Sequence, residues 1–251
     1  MWHAFDLFPE ELGVAPELRV GALPSRARLA YTEKVVRWFK PKPGHTYKQP
    51  VLDLGPGWEI EREAVANGRR EIRCRYERTH STNHALAGRL VCASDAWRSP
   101  LEWEFTQEFP RESASSLLPA LTERGSWRNG AITRRAEAGS GSRPMTRTIP
   151  ASRVLCVQAW LADFPTDLAF APWSDDAVVM EDATLFTHGV AIEPIAERVR
   201  AHALGAGLRG FSVRYGGGLP LEFWVNEHGV VIYLCAGPTR VLVLEKVEAL
   251  A

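Results

Sequence analysis

Residues 101–109, Leu-Glu-Trp-Glu-Phe-Thr-Gln-Glu-Phe, carry the pattern that decides the fold. One side of this stretch is apolar (Leu101, Trp103, Phe105, Phe109) and the other side is polar and mostly acidic (Glu102, Glu104, Thr106, Glu108). Successive side chains of a β-strand point to opposite faces, so a two-residue period predicts a strand with one buried and one solvated face.

The stretch 58–77 repeats this period on both sides of Asn67-Gly68, a dipeptide typical of hairpin turns. A two-residue loop would place Ile72 opposite Glu63 and mix the two faces. We therefore predict a three-residue loop, 67–69, with Gly68 in the left-handed conformation. The predicted cross-strand pairs are Ala64 with Ile72, Ile60 with Tyr76, Glu63 with Arg73 and Glu61 with Arg75.

Similar patterns predict strands over 28–38, 48–54, 85–94, 116–123 and 131–136, with Asn129-Gly130 at a second turn. A C-terminal meander is predicted over 208–215, 220–225, 230–234 and 240–247. Its Gly216-Gly217-Gly218 segment is interpreted as a turn, because a phosphate loop would lead into a helix and an aromatic strand follows here. Helices are predicted over 151–162 and 193–204.

These elements predict an α+β fold that is mostly β: a large curved antiparallel sheet or open half-barrel with one or two packed helices. We expect a single domain spanning residues 1–251. The Gly- and Ser-containing segment 137–144 is interpreted as a surface loop, with a weak domain boundary as the alternative.

The amino-acid composition and charge balance limit the classes of binding partner that we expect. The chain has 251 residues, 45% of them hydrophobic, and its 30 basic residues balance 30 acidic ones. A protein that binds phosphate backbones usually carries a basic excess, so we expect no nucleic-acid partner. No apolar run approaches the roughly 20 residues that span a bilayer. The N-terminus lacks the features of a signal peptide, so a cytoplasmic location is expected unless an export signal has been removed.

The residues with metal-binding or catalytic chemistry form no motif. Cys74, Cys92, Cys156 and Cys235 are far apart and are predicted to be buried free thiols, with disulfide pairing left open. His80 and His84 lie in a predicted loop, where a four-residue spacing does not align two ligands. The acidic pairs Asp175-Asp176 and Glu181-Asp182 are interpreted as solvated strand ends rather than acid/base groups. We expect no metal and no cofactor.

The strand around Trp224 is the main functional clue. Leu221, Phe223, Trp224 and Val225 are apolar, so both faces of the strand must be covered or must expose a hydrophobic surface. We expect Trp224, Tyr215 and Tyr233 to line a cleft or an oligomer interface. Glu222 interrupts the run and is expected to pair with Arg214 or Arg240, because an unpaired buried carboxylate is costly.

Residues 219–234, Leu-Pro-Leu-Glu-Phe-Trp-Val-Asn-Glu-His-Gly-Val-Val-Ile-Tyr-Leu, preceded by Gly-Phe-Ser-Val-Arg-Tyr at 210–215, resemble lipoprotein-carrier-like half-barrels. Those are long antiparallel sheets curved around a helical plug. The resemblance covers about 40 residues and implies a concave apolar face for a lipid or another hydrophobic molecule. The missing signal peptide departs from the exported members of that group.

Three functions compete on this basis. The first is binding of a hydrophobic small molecule or lipid-like ligand on the concave face of the sheet. The second is a cofactor-independent enzyme that uses acid/base groups on the same face. The third is a structural subunit, such as a homo-oligomer, that pairs through an exposed apolar strand. A ligand-sized pocket would favour the first two, and a buried carboxylate or histidine inside it would favour the second.

Overall fold

A computed structural model describes residues 12–19, 21–36, 51–77, 85–108, 120–139, 143–165, 170–181, 186–195, 207–237 and 239–251. Within this part of the chain, fifteen strands form one sheet. The strands are β1 (Arg26–Val36), β2 (Val51–Ala64), β3 (Arg70–Tyr76), β4 (Ala85–Cys92), β5 (Pro100–Glu108), β6 (Leu121–Arg128), β7 (Ala131–Ala138), β8 (Met145–Pro150), β9 (Arg153–Cys156), β10 (Ala171–Met180), β11 (Phe186–Pro194), β12 (Arg209–Tyr215), β13 (Leu221–Val225), β14 (Val231–Ala236) and β15 (Arg240–Ala249).

The sheet is a meander built in two runs. Its order is β8-β7-β6-β5-β4-β3-β2-β1-β15-β14-β13-β12-β11-β10-β9. Strands consecutive in the chain are therefore neighbours in the sheet, except β8 and β9, and the β1–β15 pairing joins the two runs. The β9–β10 pairing is parallel, and the others are antiparallel. A parallel pair needs a crossover connection, and the helix α1 (Val157–Ala162) lies in that connection.

The sheet curls around the face that carries α1. Trp103 on β5 and Phe186 on β11 belong to strands nine places apart in the sheet order, yet their ring centroids are 6.0 Å apart. The guanidinium of Arg134 on β7 lies 4.6 Å from the centre of the Phe186 ring. The edge strands β8 and β9 are separated in sequence by residues 151 and 152 alone. The result is a barrel-like sheet that stays open between β8 and β9.

The inner face of this curled sheet forms the core together with α1. All six residues of α1 are buried. Trp160 contacts Phe164 and Phe223 at centroid distances of 5.0 and 5.4 Å, and its indole N–H donates to the carbonyl of Trp97. Within the described residues, no helix has the length and apolar composition needed to cross a membrane.

The fold confirms the prediction of a mostly β protein with a curved, open sheet and one packed helix. The turn at Asn129-Gly130 is confirmed, because it joins Arg128 to Ala131 with both turn residues at positive φ. Residues 137 and 138 belong to β7, and the rest of the predicted loop, 139–144, stands between β7 and β8, which pair with each other.

The predicted register of the β2–β3 hairpin is wrong by two residues. Ile60 pairs with Cys74 rather than with Tyr76, and Glu61 pairs with Arg73. The loop has three residues as predicted, but it is 66–68 and not 67–69, because Val65 N–H donates to the Arg69 carbonyl (3.0 Å). Asn67 and Gly68 both take positive φ. A shift of two residues leaves every side chain on its predicted face, so the apolar pattern does not detect it.

The predicted helices are only partly present. Residues 153–156 form β9 instead of the first turn of a helix, because they pair in parallel with β10, for example Val154 with Val178. Glu193 and Pro194 belong to β11, and residues 196–204 of the second predicted helix lie outside the described part. His80, His84, Asp182 and Phe109 lie outside it as well.

Candidate functional site

A cavity of about 120 Å³ lies between α1 and the inner face of the sheet. Strand alternation explains its apolar wall, since side chains two residues apart point to the same face. Leu221 and Leu234 face inward on β13 and β14, as does Leu242 on β15. The apolar lining comprises Trp58, Leu86, Val157, Leu221, Leu234, Ala236 and Leu242.

Two aromatic residues from paired strands support one side of the cavity. Trp58 on β2 is the cross-strand partner of Tyr76 on β3, and their rings are 5.1 Å apart. Both are buried and both line the cavity. Aromatic pairs across neighbouring strands stabilise a sheet by roughly 0.2–1 kcal/mol.

A buried carboxylate stands behind this aromatic side. Glu33 on β1 is fully buried and accepts a hydrogen bond from the Tyr76 hydroxyl. Arg240 on β15 donates its Nε–H to Glu33 Oε1 over 2.6 Å. The ion pair with Arg240 neutralises the buried charge of Glu33. It also holds the partly exposed guanidinium of Arg240 at the cavity wall.

A second carboxylate lines the cavity directly. Glu181 follows β10, and its backbone carbonyl accepts a hydrogen bond from the Gln158 side chain of α1. Its carboxylate bonds to the hydroxyl of Tyr215, and burial followed by that contact raises the pKa of Tyr215. Glu181 Oε1 is buried and has no hydrogen-bond donor among the described residues.

The cavity therefore combines an apolar interior with three polar groups in its wall: Arg240, Gln158 and Glu181. An apolar interior with a few placed polar groups is the usual character of a small-molecule site. The arrangement suits a molecule with an apolar body and one polar end. The donors of Arg240 and Gln158 and the acceptor of Glu181 can orient that end.

The structure places Trp224 and Tyr233 on the outer face of the sheet, away from α1. The two residues are cross-strand partners, and their rings stack at 5.7 Å with an interplanar angle of 18°. Both are buried. Every residue of β13 is buried, so this strand is covered on both faces and does not expose an apolar surface for a partner. The interpretation as a subunit pairing through this strand has no basis in the described structure.

The other three residues predicted for the site are separated. Tyr215 points to the inner face and reaches the cavity through Glu181. Arg214 is exposed and pairs with Glu193, and Arg240 pairs with Glu33. Glu222 is buried on the outer face, and both arginines proposed as its partners form these other ion pairs instead. Tyr215 therefore lies on the opposite face of the sheet from Trp224, Tyr233 and Glu222.

Sequence reasoning missed Glu33 and misjudged Glu181. Glu33 continues the apolar phase of Leu29 and Tyr31 in the β1 strand, and a charged residue in that phase is a usable signal. Glu181 was interpreted as solvated together with its neighbour, but it lines the cavity. Asp175 and Asp176 are exposed, as expected for solvated acids.

In the part of the chain that the structure describes, no three His, Cys, Asp or Glu side chains lie close enough together to hold a metal ion. The four cysteines are buried free thiols. Burial raises the pKa of Cys156 to about 12, and it also raises the pKa values of Cys74 and Cys92.

Comparison with known proteins supports the fold alone. No family model matches the chain, and no curated protein matches it. Among solved structures, the chain is similar to a beta-barrel-like protein of the Domain of Unknown Function DUF1849 from Brucella abortus. The TM-score is 0.52 at 9% sequence identity, and the alignment covers 92% of this chain and 100% of that one.

Proposed function

We propose that this protein binds a small amphipathic molecule in the cavity between α1 and the inner face of the sheet. The observation that carries the proposal is the apolar cavity with Arg240, Gln158 and Glu181 in its wall. The barrel-like fold and the resemblance to lipoprotein-carrier half-barrels support the same class of function. A cytoplasmic location and a homo-oligomeric state stay predictions from the sequence.

The size of the cavity limits the part of the ligand that enters it. An engineered apolar cavity of about 150 Å³ holds benzene, and this one measures about 120 Å³. A whole lipid does not fit in such a volume. We therefore propose that one ring or a short alkyl segment is buried and that the polar end stays near Arg240 and Gln158.

The test is a titration with unbranched monocarboxylates of increasing length and with the matching 1-alkanols, followed by calorimetry. Each added CH₂ that is buried contributes about 0.8 kcal/mol. Affinity should therefore rise about fourfold per carbon and then reach a plateau when the cavity is full. The carboxylates should bind more tightly than the alcohols if Arg240 contacts the polar end.

The matched variants are Leu234→Trp and Leu219→Trp. Leu234 lines the cavity, so the larger side chain should fill it and abolish binding. Leu219 is 60% exposed and does not line the cavity, so the same change there should leave binding intact. If no member of the series binds at millimolar concentration, or if folded Leu234→Trp binds like the wild type, the proposal is wrong.

One observation favours a second candidate, acid/base catalysis in the same cavity. Glu181 Oε1 is buried in the cavity region and has no donor among the described residues, and such a carboxylate can accept a proton from a bound molecule. Glu181→Gln keeps the shape of the side chain and removes the base. Catalysis requires that a bound compound is converted by the wild type but stays intact with Glu181→Gln, as read by mass spectrometry.

A further inference from the structure

Three arginines converge on one aspartate at the end of α1, away from the cavity. Asp163 is the C-terminal capping residue of the helix. Arg62 on β2 approaches its Oδ1 to 3.3 Å, while Arg70 on β3 and Arg98 in the β4–β5 loop approach its Oδ2 to 3.4 and 3.3 Å. The side chains come from three separate places in the chain, so only the fold brings them together.

The charges of this arginine cluster (Arg62, Arg70, Arg98 and Asp163) do not balance. Three cations meet one anion, and among the described residues the ion pairs of all three arginines end on Asp163. The arginine side chains are 10, 28 and 22% exposed, so solvent screens the excess charge only in part. Burial lowers the pKa of Arg62, Asp163 opposes this effect, and repulsion from Arg70 and Arg98 adds to it.

The cluster also has hydrogen-bond donors to spare. The Nε atoms of Arg70 and Arg98 face Asp163 Oδ2 at 3.4 and 3.3 Å without hydrogen-bond geometry, and the buried Nε–H of Arg62 has no acceptor in the described part of the chain. Arg62 donates through Nη1 to the Ala162 carbonyl (3.3 Å), and Arg98 donates through Nη1 to the Asp95 carbonyl (2.8 Å). Each guanidinium has five N–H donors, and the printed distances to described residues involve only Arg62 Nη1, Arg70 Nε, and Nε and Nη1 of Arg98, so within the described part of the chain donors remain for a further acceptor.

We propose that the arginine cluster binds a tetrahedral oxyanion, either free phosphate or the phosphate group of a monoester. A phosphate group carries about −1.5 to −2 charges at neutral pH, which matches the excess of two positive charges. Its oxygens accept paired N–H bonds from arginine in a geometry that suits the planar guanidinium. The site is distinct from the cavity, because Arg62 is four residues beyond Trp58 on β2, about 13 Å at 3.3 Å per residue.

The test is a calorimetric titration with inorganic phosphate at low ionic strength, with glycerol 3-phosphate in a parallel arm. Phosphate should bind with a dissociation constant of roughly 1 mM or less. Monoester binding about tenfold tighter assigns the site to a phosphorylated ligand, and equal affinity assigns it to free phosphate. Absence of binding by both at roughly ten times that concentration in the folded wild type would overturn the proposal.

Two single-charge variants on one strand provide the control. Arg70→Gln should weaken phosphate binding about tenfold or more. Arg73→Gln removes the same charge from β3 at a side chain that is 65% exposed and pairs with Glu71. It should change binding less than twofold by long-range charge alone. Equal losses in the two variants would contradict a specific site.

Asp163→Asn supplies a test in the opposite direction. Asp163 competes with the proposed anion for the same donors, so its neutralisation should tighten phosphate binding. If the folded variant binds phosphate no better than the wild type, the cluster is an ion-pair network and not an anion site. Circular dichroism establishes whether Asp163→Asn folds, and Arg70→Gln decides the question if it does not.

Discussion

Two buried carboxylates show how single residues are accommodated in this core. Glu33 and Glu123 are both fully buried. Glu33 meets Arg240 and the Tyr76 hydroxyl, whereas Glu123 meets Arg134 and the indole N–H of Trp103. In both cases an arginine supplies the opposite charge and an aromatic side chain supplies a second donor. A buried charge is stable only with such partners, so removing either arginine would be costly.

Substitution of the single residue Trp224 can distinguish whether the outer face of the sheet is part of the hydrophobic core or a ligand-binding site. The side chain is fully buried and stacks on Tyr233. Trp224→Ala should lower the free energy of unfolding by about 3–5 kcal/mol, because it removes a large buried side chain. Urea denaturation measures this loss. Trp173→Ala, at a position that is 51% exposed, is the control and should cost less than about 1 kcal/mol.

A different result for Trp224→Ala would place the ligand-binding site on the outer face of the sheet. If the variant keeps nearly the stability of the wild type but no longer binds the carboxylate series, the outer face carries the ligand. The cavity beside α1 would then lose its proposed role.

At the scale of elements, two glycines lie opposite aromatic residues on neighbouring strands of the curved sheet. Phe105 lies across from Gly88, and Trp103 lies across from Gly125. A Cβ atom at Gly88 would come within 2.3 Å of the Phe105 ring, and one at Gly125 within 2.1 Å of the Trp103 ring. The rings therefore lie directly over the glycines and cover their backbone. Such pairs let neighbouring strands bend while the apolar face stays filled.

The β2–β3 turn gives a prediction at the scale of elements. Gly68 has a φ of +72°, where a β-branched side chain is strained. Gly68→Val should cost more than about 1 kcal/mol in free energy of unfolding, measured by thermal or urea denaturation. Arg69 has a φ of −71°, so Arg69→Val is the control and should be nearly neutral. Equal stability of the two variants would contradict this turn geometry.

The whole molecule is held by contacts between distant parts of the chain. Glu33 and Arg240 are 207 positions apart in sequence. The hydroxyl of Tyr31 donates to the carbonyls of Leu161 and Val231, which ties β1 to α1 and to β14. The pairing of β1 with β15 joins the first and last strands. Because these contacts close long loops, we expect unfolding to be cooperative across the sheet.

The cysteines can report on this cooperativity. All four are at most 4% exposed, and burial raises the pKa of Cys156 to about 12. Thiol reagents attack the thiolate, so at pH 8 all four should stay unreactive in the folded protein and react after unfolding in guanidinium. Labelling followed by mass spectrometry counts them. Thr148→Cys places a thiol at an exposed edge position and should react at once. Rapid native labelling of any of the four would reveal local opening.

The sequence by itself determined which residues face the core and where several turns lie. The alternation in 58–77 and 101–109 depends on neighbouring residues alone, and Asn129-Gly130 forms its turn through local backbone preference. The apolar composition of β13 limited it to two alternatives, cover on both faces or an exposed apolar surface, and the structure shows the first. Local chemistry is sufficient for these features because each involves only a few consecutive residues.

Only the tertiary structure decided the register, the edge strands and the sites. The β2–β3 register differs by two residues from the prediction, and a two-residue shift leaves the apolar pattern unchanged. Residues 153–156 form a strand and not a helical turn, because they pair in parallel with β10. Tyr215 and Trp224 were expected together, but the alternation along β12 and β13 turns them to opposite faces. The cavity and the arginine cluster combine residues from distant strands, and their contacts depend on how the sheet curls.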